Sequence, residues 1–348
     1  MISNLLAAAK GNRRPYIIAE MSGNHNGSLE RALEIVDAAA KNGADAIKLQ
    51  TYTADTMTLD VDLPEFKIQD ASSLWTGRTL YGLYEEAHTP WDWHEPIFSR
   101  AKELGLLPFS TPFDSSAIDF LEGLDVEVYK IASFENTDLP LIRKAASTGK
   151  PLIISTGLAS LGEISDAVSA ARLAGCVDLI LLKTTSSYPA KPENTNLRTL
   201  PNMRELFDCY VGLSDHTLGI GVAIASVSLG AGVIEKHLTL DRNDGGVDSA
   251  FSLIPSELKS LVEESERAWA SQGKPHYGPS EAELKSFVFR RSLYVTEDLE
   301  EGAVISEYNV RAIRPGYGLP TKYLEEILGK RVSRKVARGT PVTWEIFG

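Results

Sequence analysis

Cysteine and long apolar runs are scarce in this sequence. Its 348 residues include two cysteines, Cys176 and Cys209, which lie far apart without CxxC spacing. This pattern indicates neither a disulfide framework nor a cysteine zinc site, so we expect reduced thiols. No stretch approaches the roughly 18 apolar residues that a membrane helix needs. The N-terminal apolar run is too short for a signal peptide, and its basic residues follow it. We therefore expect a cytoplasmic protein without a membrane partner.

Basic residues are also fewer than acidic residues. The sequence has 35 Lys and Arg against 47 Asp and Glu, which gives a net charge of −12. A nucleic-acid surface needs a basic face, so nucleic acid is not expected as a partner. A small anionic substrate needs only a few local cations and stays compatible with this composition.

What the sequence does contain is a regular alternation of short apolar runs and longer helical patterns. Strands are predicted at 16–20, 46–50, 107–111, 128–133, 152–156, 179–184, 210–214 and 233–236, and helices at 29–41, 91–104, 116–121, 139–147, 161–173 and 220–229. Eight such units over about 250 residues predict an α/β fold, the (β/α)8 TIM barrel. A doubly wound open sheet is the alternative, but no Gly-rich dinucleotide motif follows the first strand.

The pattern changes twice outside this repeat. Residues 52–89 form a long connection with Trp75, Arg78, Tyr81 and Tyr84, and this aromatic content favours an ordered, functional loop. From residue 290 onward, short strands and turns replace the alternation, with a short helix at 322–328. We predict a catalytic barrel domain at 1–270, a linker at 271–287 and a small domain at 288–348. A domain of about 60 residues buries little core, so it should dock onto the barrel or a partner subunit.

The predicted strands share polar C-terminal ends, where TIM barrels build their active sites. Lys48, Lys130 and Lys183 end three different strands. Hydroxyl side chains accompany them at Ser133, Ser155, Thr156, Ser186 and Ser214. Lysines and hydroxyls together suit a phosphate or carboxylate group, although salt bridges to Glu20 or Glu235 would also explain the lysines.

Two histidines follow neighbouring strands, His216 after GLSD and His237 after VIEK. A βαβ crossover places such strands side by side, so the two imidazoles should meet at one edge. We interpret them as ligands of one divalent metal, Mn²⁺ or Mg²⁺, with open positions for substrate. The carboxylates Glu20, Glu135 and Asp248 should lie near the same mouth and orient a polar substrate or transfer a proton.

At these residues the chain resembles the sialic acid synthase (NeuB-like) family over nearly its whole length. The motifs are IIAEMSGNHNGS, ADAIKLQTYT, STPFD, YKIAS, ISTG, GLSDHT and VIEKH, with RPGYGLP in the C-terminal region. The resemblance implies a transferase that forms a C–C bond between phosphoenolpyruvate and an acylated amino sugar and releases phosphate. It also implies a C-terminal antifreeze-like (SAF, β-clip) domain and a domain-swapped homodimer.

The resemblance assigns roles by position. The phosphoenolpyruvate site would comprise Lys48, Lys130, Ser133, Ser155 and Ser214, with Thr111 nearby, and the metal ligands would be His216 and His237. The sugar-side or catalytic positions would be Glu20, Gln50, Glu135, Tyr188 and Asp248. We expect Glu20, Lys48, Lys130 and Glu135 to be catalytic, and Lys183 and Ser186 to bind substrate. Arg314 resembles an arginine that reaches the sugar in the partner's site.

Within the family, KIASFE, LKTTSSYP, DSAFSL and LWTGRTLYGLYEEAHTPWDWH follow the pseudaminic acid synthase type. The implied substrate is 2,4-diacetamido-2,4,6-trideoxy-L-altrose, with an N-acetylneuraminate or legionaminic acid synthase as the alternative. A 6-deoxy sugar favours an apolar pocket, and we infer Phe134 as part of its wall. Two remoter alternatives are a Schiff-base aldolase using Lys183 or Lys130 and a binding protein for ice or carbohydrate.

Overall fold

The computed structural model describes residues 1–69 and 75–348 and divides into two compact units, Met1–Gly273 and Lys274–Gly348. Leu74, the first residue of the motif LWTGRTLYGLYEEAHTPWDWH, lies outside the described residues. Among the described helices, none is long and apolar enough to cross a membrane.

The first unit contains a closed barrel of parallel strands, each paired with the next and the last with the first. The strands are β1 (Tyr16–Glu20), β2 (Ala46–Thr51), β3 (Leu107–Pro112), β4 (Tyr129–Ile131), β5 (Leu152–Ser155), β6 (Leu179–Thr184), β7 (Tyr210–Ser214) and β8 (Val233–His237). The predicted TIM barrel is therefore confirmed, and the open sheet is excluded. The predicted strand at 128–133 is shorter, because a 3-10 turn begins at Ser133.

Helices connect the strands. They are α1 (Ile2–Ala9), α2 (Leu29–Lys41), α3 (Ala54–Met57), α4 (Leu80–Ala87), α5 (His94–Glu103), α6 (Ser115–Gly123), α7 (Leu139–Ala146), α8 (Leu161–Leu173), α9 (Thr199–Phe207), α10 (Gly221–Val227) and α11 (Pro255–Ala270). The helix predicted at 91–104 begins as a 3-10 turn, Trp91–Trp93, and continues as α5. Local caps fix several helix starts; Ser28, for example, accepts a hydrogen bond from the Arg31 N–H at the start of α2.

Strand alternation divides the apolar residues into two cores. One core lies between strands and outer helices and includes Ile17, Ile47 and Leu181. The other fills the barrel interior with the alternate residues of the strands, including Ile18, Phe109 and Leu182. Because alternate residues of a strand face the same side, the interior residues at the start of each strand determine which residues at its C-terminal end also face the interior.

Helix α1 contacts the N-terminal end of the barrel. Its buried residues Leu5 and Ala8 belong to the interior core. Gly232, just before β8, permits this contact, because a Cβ atom there would lie 2.4 Å from the Ala8 carbonyl oxygen. A side chain at this position would therefore force the helix away.

The register aligns the C-terminal ends of the strands. Glu20 of β1 pairs with Lys48 of β2 on one side and with His237 of β8 on the other. Ser214 of β7 pairs with Glu235 of β8. Polar residues from distant parts of the chain are therefore neighbours at one barrel mouth.

The long connection after β2 is ordered over its described part. It contains α3, a 3-10 turn at Pro64–Phe66, and α4. The Trp75 indole donates a hydrogen bond to the Val247 carbonyl, 3.0 Å away, and thereby ties this connection to the segment after β8. The connection therefore forms part of the mouth.

The second unit contains an antiparallel pair, β9 (Ser292–Val295) and β10 (Val310–Ile313), and a short helix, α12 (Leu324–Ile327). Its small core comprises Leu293, Val295, Leu299, Ile305, Val310, Ile327, Val332, Val336, Val342 and Ile346. The predicted change to short strands and turns is confirmed by this unit.

Candidate active site

Two adjoining cavities open at the C-terminal mouth of the barrel. The inner cavity is small and polar and is lined by Glu20, Lys48, Gln50, Thr111, Phe113, Lys130, Ala132, Ser133, Ser155, Thr184, Tyr188, Ser214, His216, Glu235 and His237. The outer cavity has a volume of about 420 Å³. Gln50, Ser133, Tyr188 and His237 line both cavities. The two therefore form one continuous site.

Lys48 is held at the base of the inner cavity by two carboxylates. Its Nζ lies 2.5 Å from Glu20 Oε2 and 3.9 Å from Glu235 Oε1, and it donates to Thr111 Oγ1 at 3.0 Å. Burial lowers the pKa of Lys48, but the two carboxylates outweigh this effect and raise it overall. Burial also raises the pKa of Glu20, against the opposing effect of Lys48. Lys48 is therefore a firmly charged ammonium group.

Lys130 provides a second buried cation in the same cavity. Its Nζ donates to Ser155 Oγ at 2.6 Å and to the Ile131 carbonyl at 3.0 Å. Burial lowers its pKa to about 8. The nearby carboxylates, Glu235 foremost, offset this effect only in part, so Lys130 is suited to bind a phosphate or carboxylate that adds counter-charge.

A group of hydroxyls converges beside these lysines. At Gly157, an added Cβ atom would lie 2.2 Å from Ser186 Oγ and 2.6 Å from Ser133 Oγ. The glycine thus allows both hydroxyls to approach the backbone of the loop after β5. Ser186 Oγ is buried without a hydrogen-bond partner among the described residues. It is therefore able to donate to an anionic substrate oxygen.

The two predicted metal ligands meet at the mouth, with ring centroids 5.4 Å apart. His216 Nδ1 lies 3.0 Å from the Thr185 carbonyl, which favours a proton on Nδ1 and leaves Nε2 as an acceptor. Burial lowers the pKa of His216 and lowers that of His237 further. His237 Nδ1 is buried, has no hydrogen-bond partner in the described part of the chain, and lies 3.6 Å from Asp248 Oδ2. Two neutral imidazoles of this kind suit a divalent metal.

The described residues contain no cluster of three or more His, Cys, Asp or Glu arranged to hold a metal. The metal site that we predicted at His216 and His237 would therefore have two protein ligands, and it stays a prediction. The remaining positions would belong to water and substrate oxygen, as a Lewis-acid site requires.

The outer cavity differs in character, because its wall is largely apolar and aromatic. Lining residues are Ser22, Gln50, Tyr52, Met57, Ile68, Trp75, Leu80, Leu83, Tyr84, Ala87, Phe113, Ala132, Ser133, Phe134, Glu135, Ser186, Tyr188, His237, Val247 and Asp248. Burial raises the pKa of Glu135 to about 7 and that of Asp248 to about 6. Glu135 Oε2 is buried, and residues 1–69 and 75–348 offer it no hydrogen-bond partner. The wall thus combines apolar surface with two carboxyls that can exchange a proton near neutral pH.

Most of the predicted site residues are brought together by the structure. Those that line one or both cavities are Glu20, Lys48, Gln50, Thr111, Lys130, Ser133, Phe134, Glu135, Ser155, Ser186, Tyr188, Ser214, His216, His237 and Asp248. Phe134 lines the outer cavity while 61% of its surface is exposed. The resemblance assigned their roles, and the geometry is compatible with those roles.

Lys183 and Arg314 do not join this group. Lys183 follows Leu182, which faces the interior, so alternation turns it to the outer face, where its Nζ donates to the Thr184 carbonyl. Thr184 lines the inner cavity instead. Arg314 is exposed and follows β10 in the second unit. Its role at a sugar site stays a prediction.

Glu235 belongs to the site although it was not among the predicted site residues. Its Oε1 accepts a hydrogen bond from Ser214 Oγ at 3.2 Å, and its buried Oε2 has no hydrogen-bond partner among the residues that the structure describes. Burial raises the pKa of Glu235, but Lys48 and Lys130 outweigh this effect and lower it overall. The alternation Val233–Glu235–His237 on β8 was the signal in the sequence that could have identified it.

A further cavity of about 570 Å³ lies at the opposite, N-terminal end of the barrel. Its lining includes Pro15, Leu179, Tyr210 and Gly232, which precede or begin strands, and none of the predicted site residues. Barrel enzymes place catalysis at the C-terminal end, so this cavity is not the candidate site.

A TIM barrel with a lysine- and histidine-lined mouth, followed by a small β-containing unit, defines a class of sugar-acid synthases, and comparison with known proteins agrees. The NeuB family model matches residues 35–277, and the SAF domain model matches residues 290–347. The chain therefore belongs to the NeuB family, and the predicted resemblance is confirmed.

Named relatives cover almost the whole chain. A pseudaminic acid synthase of Campylobacter jejuni is 44% identical over 94% of this chain and 95% of its own length. A pseudaminic acid synthase of Helicobacter pylori is 43% identical over 94% of this chain and 96% of its own length. The crystal structure of an N-acetylneuraminic acid synthetase from Leptospira borgpetersenii, in complex with citrate, is 33% identical with a TM-score of 0.70. It covers 79% of this chain and 90% of that one.

Proposed function

We propose that the protein is a pseudaminic acid synthase. It would condense phosphoenolpyruvate with 2,4-diacetamido-2,4,6-trideoxy-L-altrose and water, and release pseudaminic acid and phosphate. The observation that carries this proposal is the pairing of a polar inner cavity with a largely apolar outer cavity in one continuous site. The inner cavity suits the anionic co-substrate, and the outer one suits a sugar that carries a methyl group and two acetamido groups.

The inner cavity supplies charge and donors for phosphoenolpyruvate. Lys48 and Lys130 provide two ammonium groups, and Ser155 and Ser214 provide hydroxyls beside them. Because these cations are buried, they stabilise substrate charge more strongly than exposed cations would. This arrangement would orient C3 of phosphoenolpyruvate towards the outer cavity.

The outer cavity would hold the open-chain sugar with its aldehyde near His216 and His237. A divalent metal held by these two histidines would supply Lewis acidity towards the aldehyde oxygen. C3 of phosphoenolpyruvate forms the new bond to the aldehyde carbon, and the aldehyde oxygen takes up a proton to become a hydroxyl. Water adds at C2, which the loss of the C2–C3 double bond has left cationic, and the proton it gives up balances the one taken up. Glu135 Oε2, buried without a partner, would accept the proton of that water. Phosphate then leaves with cleavage of its bond to C2.

The proposal also includes the oligomeric state of the protein and the site at which Arg314 acts. We expect a domain-swapped homodimer in which Arg314 contacts the sugar in the partner's site.

The proposal is tested by measuring phosphate release with Mn²⁺, phosphoenolpyruvate and one sugar at a time. The sugars are the diacetamido-trideoxy altrose, N-acetylmannosamine and the legionaminic precursor. We expect release with the altrose and a nine-carbon acid in the mass spectrum. Phosphate release with only one of the other sugars would identify that sugar as the substrate instead. A borohydride-trapped pyruvate adduct would favour the Schiff-base aldolase.

The cleaved bond can be followed in the same assay. Phosphoenolpyruvate labelled with ¹⁸O in the bridging position should pass the label to phosphate, because the C–O bond breaks. Lys130→Ala is the matched inactive control, since it removes one cation of the inner cavity and leaves the outer cavity intact. Label in the sugar acid would contradict this order of steps.

A further inference from the structure

Ser22, in the loop after β1, has a backbone conformation that non-glycine residues rarely adopt. Its φ angle is 48°, in the left-handed region, and only 4% of its surface is exposed. A left-handed conformation is unfavourable for a residue with a Cβ atom, and glycine would adopt it without this cost. Buried residues strained in this way persist only where the surrounding structure holds them, and they cluster at functional sites.

The Ser22 side chain connects two walls of the site. Its Oγ donates to Asp248 Oδ2 on the wall of the outer cavity. It also accepts a hydrogen bond from Gln50 Nε2 at 3.1 Å. Gln50 Nε2 is in turn 3.0 Å from Glu20 Oε1 in the inner cavity. The Ser22 hydroxyl therefore lies at the centre of a series of hydrogen bonds that runs from the inner to the outer cavity.

The loop that carries Ser22 is fixed by contacts that do not involve its hydroxyl. Asn24 Nδ2 donates to the Leu238 carbonyl and to Ser252 Oγ, each at 2.9 Å. A Cβ atom at Gly23 would lie 2.5 Å from Val247 Cγ2, so the two loops are in close contact there. The loop can therefore keep its path when the hydroxyl is removed. Since the hydroxyl is not needed to hold the loop, we assign it a role in the site.

We propose that Ser22 is a positioning residue that orients Asp248 and Gln50 towards the sugar and thereby determines sugar selectivity. This inference rests on the proposed function, because it names which half of the reaction the residue serves. Ser22 would act through its two partners and would not touch the reacting atoms. Lys130 contacts Ser155, and Lys48 contacts Thr111 and Glu235 as well as Glu20, so the phosphoenolpyruvate cations should depend on Ser22 only weakly, through Gln50 and Glu20.

Two substitutions separate the hydroxyl from the backbone strain. Ser22→Ala removes the hydroxyl and keeps the strained conformation, whereas Ser22→Gly removes both. We expect both to lower kcat/KM for the sugar by about tenfold or more, because a hydrogen bond to a charged group is lost. The KM for phosphoenolpyruvate should stay within about twofold of the wild-type value. Both variants lose this hydrogen bond, but Ser22→Gly should melt a few degrees above Ser22→Ala, because glycine relieves the left-handed strain that alanine keeps.

Asp125→Gly is the matched control. Asp125 has a φ of 55° and is exposed in the turn before β4, far in sequence from the mouth loops. The substitution should relieve the same kind of strain without changing either KM. If sugar kinetics follow the melting temperature across all three variants, Ser22 is merely structural and the inference is wrong.

The kinetic outcomes also separate this inference from the proposed function. A wild-type protein that releases no phosphate with any of the three sugars overturns the proposed function. A wild-type protein that is active, together with Ser22→Ala and Ser22→Gly variants that use the sugar normally, overturns only the role of Ser22. Equal losses for the sugar and for phosphoenolpyruvate would also contradict the proposed selectivity.

Discussion

Lys236 Nζ lies 3.0 Å from Asp215 Oδ2, and each side chain is only 1% exposed. The lysine also donates to the Thr217 carbonyl at 2.7 Å and to the Gly219 carbonyl at 2.8 Å. Alternation along β8 turns Lys236 away from the cavity that its neighbour His237 lines. The pair lies on the face of β8 opposite to His237, and it stabilises the loop that carries His216.

Lys236→Met should destabilise the barrel strongly. The substitution leaves the Asp215 carboxylate buried without its partner, which typically costs about 3–5 kcal/mol. Lys144→Met is the matched control, because the Lys144–Asp119 pair is partly exposed at 34% and 71% and should contribute less than about 1 kcal/mol. Urea unfolding followed by intrinsic fluorescence measures both. Equal losses of stability would contradict a special role for the buried pair.

His216→Ala and His237→Ala should each weaken Mn²⁺ binding, and the double variant should show no metal-dependent turnover. The reason is that each substitution removes one of the two imidazoles that we propose as metal ligands. Calorimetric titration with Mn²⁺ measures the binding, and phosphate release after chelation measures the activity. His276→Ala is the control, because His276 is exposed in the second unit. Full activity after chelation would rule out the metal-dependent mechanism.

The dependence of kcat/KM on pH should be bell-shaped. The pKa of Glu135 is raised to about 7 by burial, so the carboxylate that accepts a proton forms as pH rises through that value. The pKa of Lys130 is lowered to about 8 by burial, so its charge is lost above that pH and anion binding weakens. Both limbs belong to the free enzyme, which is what kcat/KM reports.

Two variants identify the group that titrates in each limb of the pH profile. Glu135→Gln should lower the rate and remove the acidic limb, because the amide does not titrate. Lys130→Arg should move the basic limb upward, because a guanidinium stays charged, although its different shape should raise the KM for phosphoenolpyruvate. A profile that keeps both limbs in both variants would mean that other groups titrate.

The positions of the lysines and histidines were predictable from sequence because parallel strands align their C-terminal ends. Lys48, Lys130, His216 and His237 all follow apolar runs with clear boundaries. Lys183 shows where this reasoning stops. In LILLKT both faces of the strand are apolar, so the sequence does not reveal which residues face the interior. Only the closed barrel shows that Thr184 faces the inner cavity instead of Lys183.

The connections between the two cavities were not predictable. Ser22 and Asp248 are 226 positions apart, and their hydrogen bond depends on the packing of two irregular loops. Such loops have no periodicity from which a contact follows. The left-handed conformation of Ser22 was likewise hidden, because the sequence there contains a serine where glycine would have signalled a positive φ.

Phe134→Ala should reduce kcat/KM for the 6-deoxy sugar by about tenfold, because an apolar contact with the sugar is removed. Phe134→Leu is the matched variant, since it keeps apolar surface at the same position and should lose less. Steady-state kinetics with saturating phosphoenolpyruvate measures both variants. Unchanged sugar kinetics in Phe134→Ala would mean that the exposed ring does not touch the substrate.

Arg314 can be tested by mixing two inactive variants. Lys48→Ala should inactivate the barrel site, and Arg314→Ala should remove the sugar contact. If Arg314 acts in the partner's site, a mixed dimer contains one complete site, made of the unmodified barrel of one chain and the arginine of the other. Subunit exchange should then restore about a quarter of the wild-type activity, since half of the dimers are mixed and each has one of two sites intact. If Arg314 acts in its own chain's site, every site in the mixture stays incomplete and no activity returns. Size-exclusion chromatography of the mixture verifies that dimers form, and the double variant Lys48→Ala/Arg314→Ala mixed with wild type controls for simple dilution.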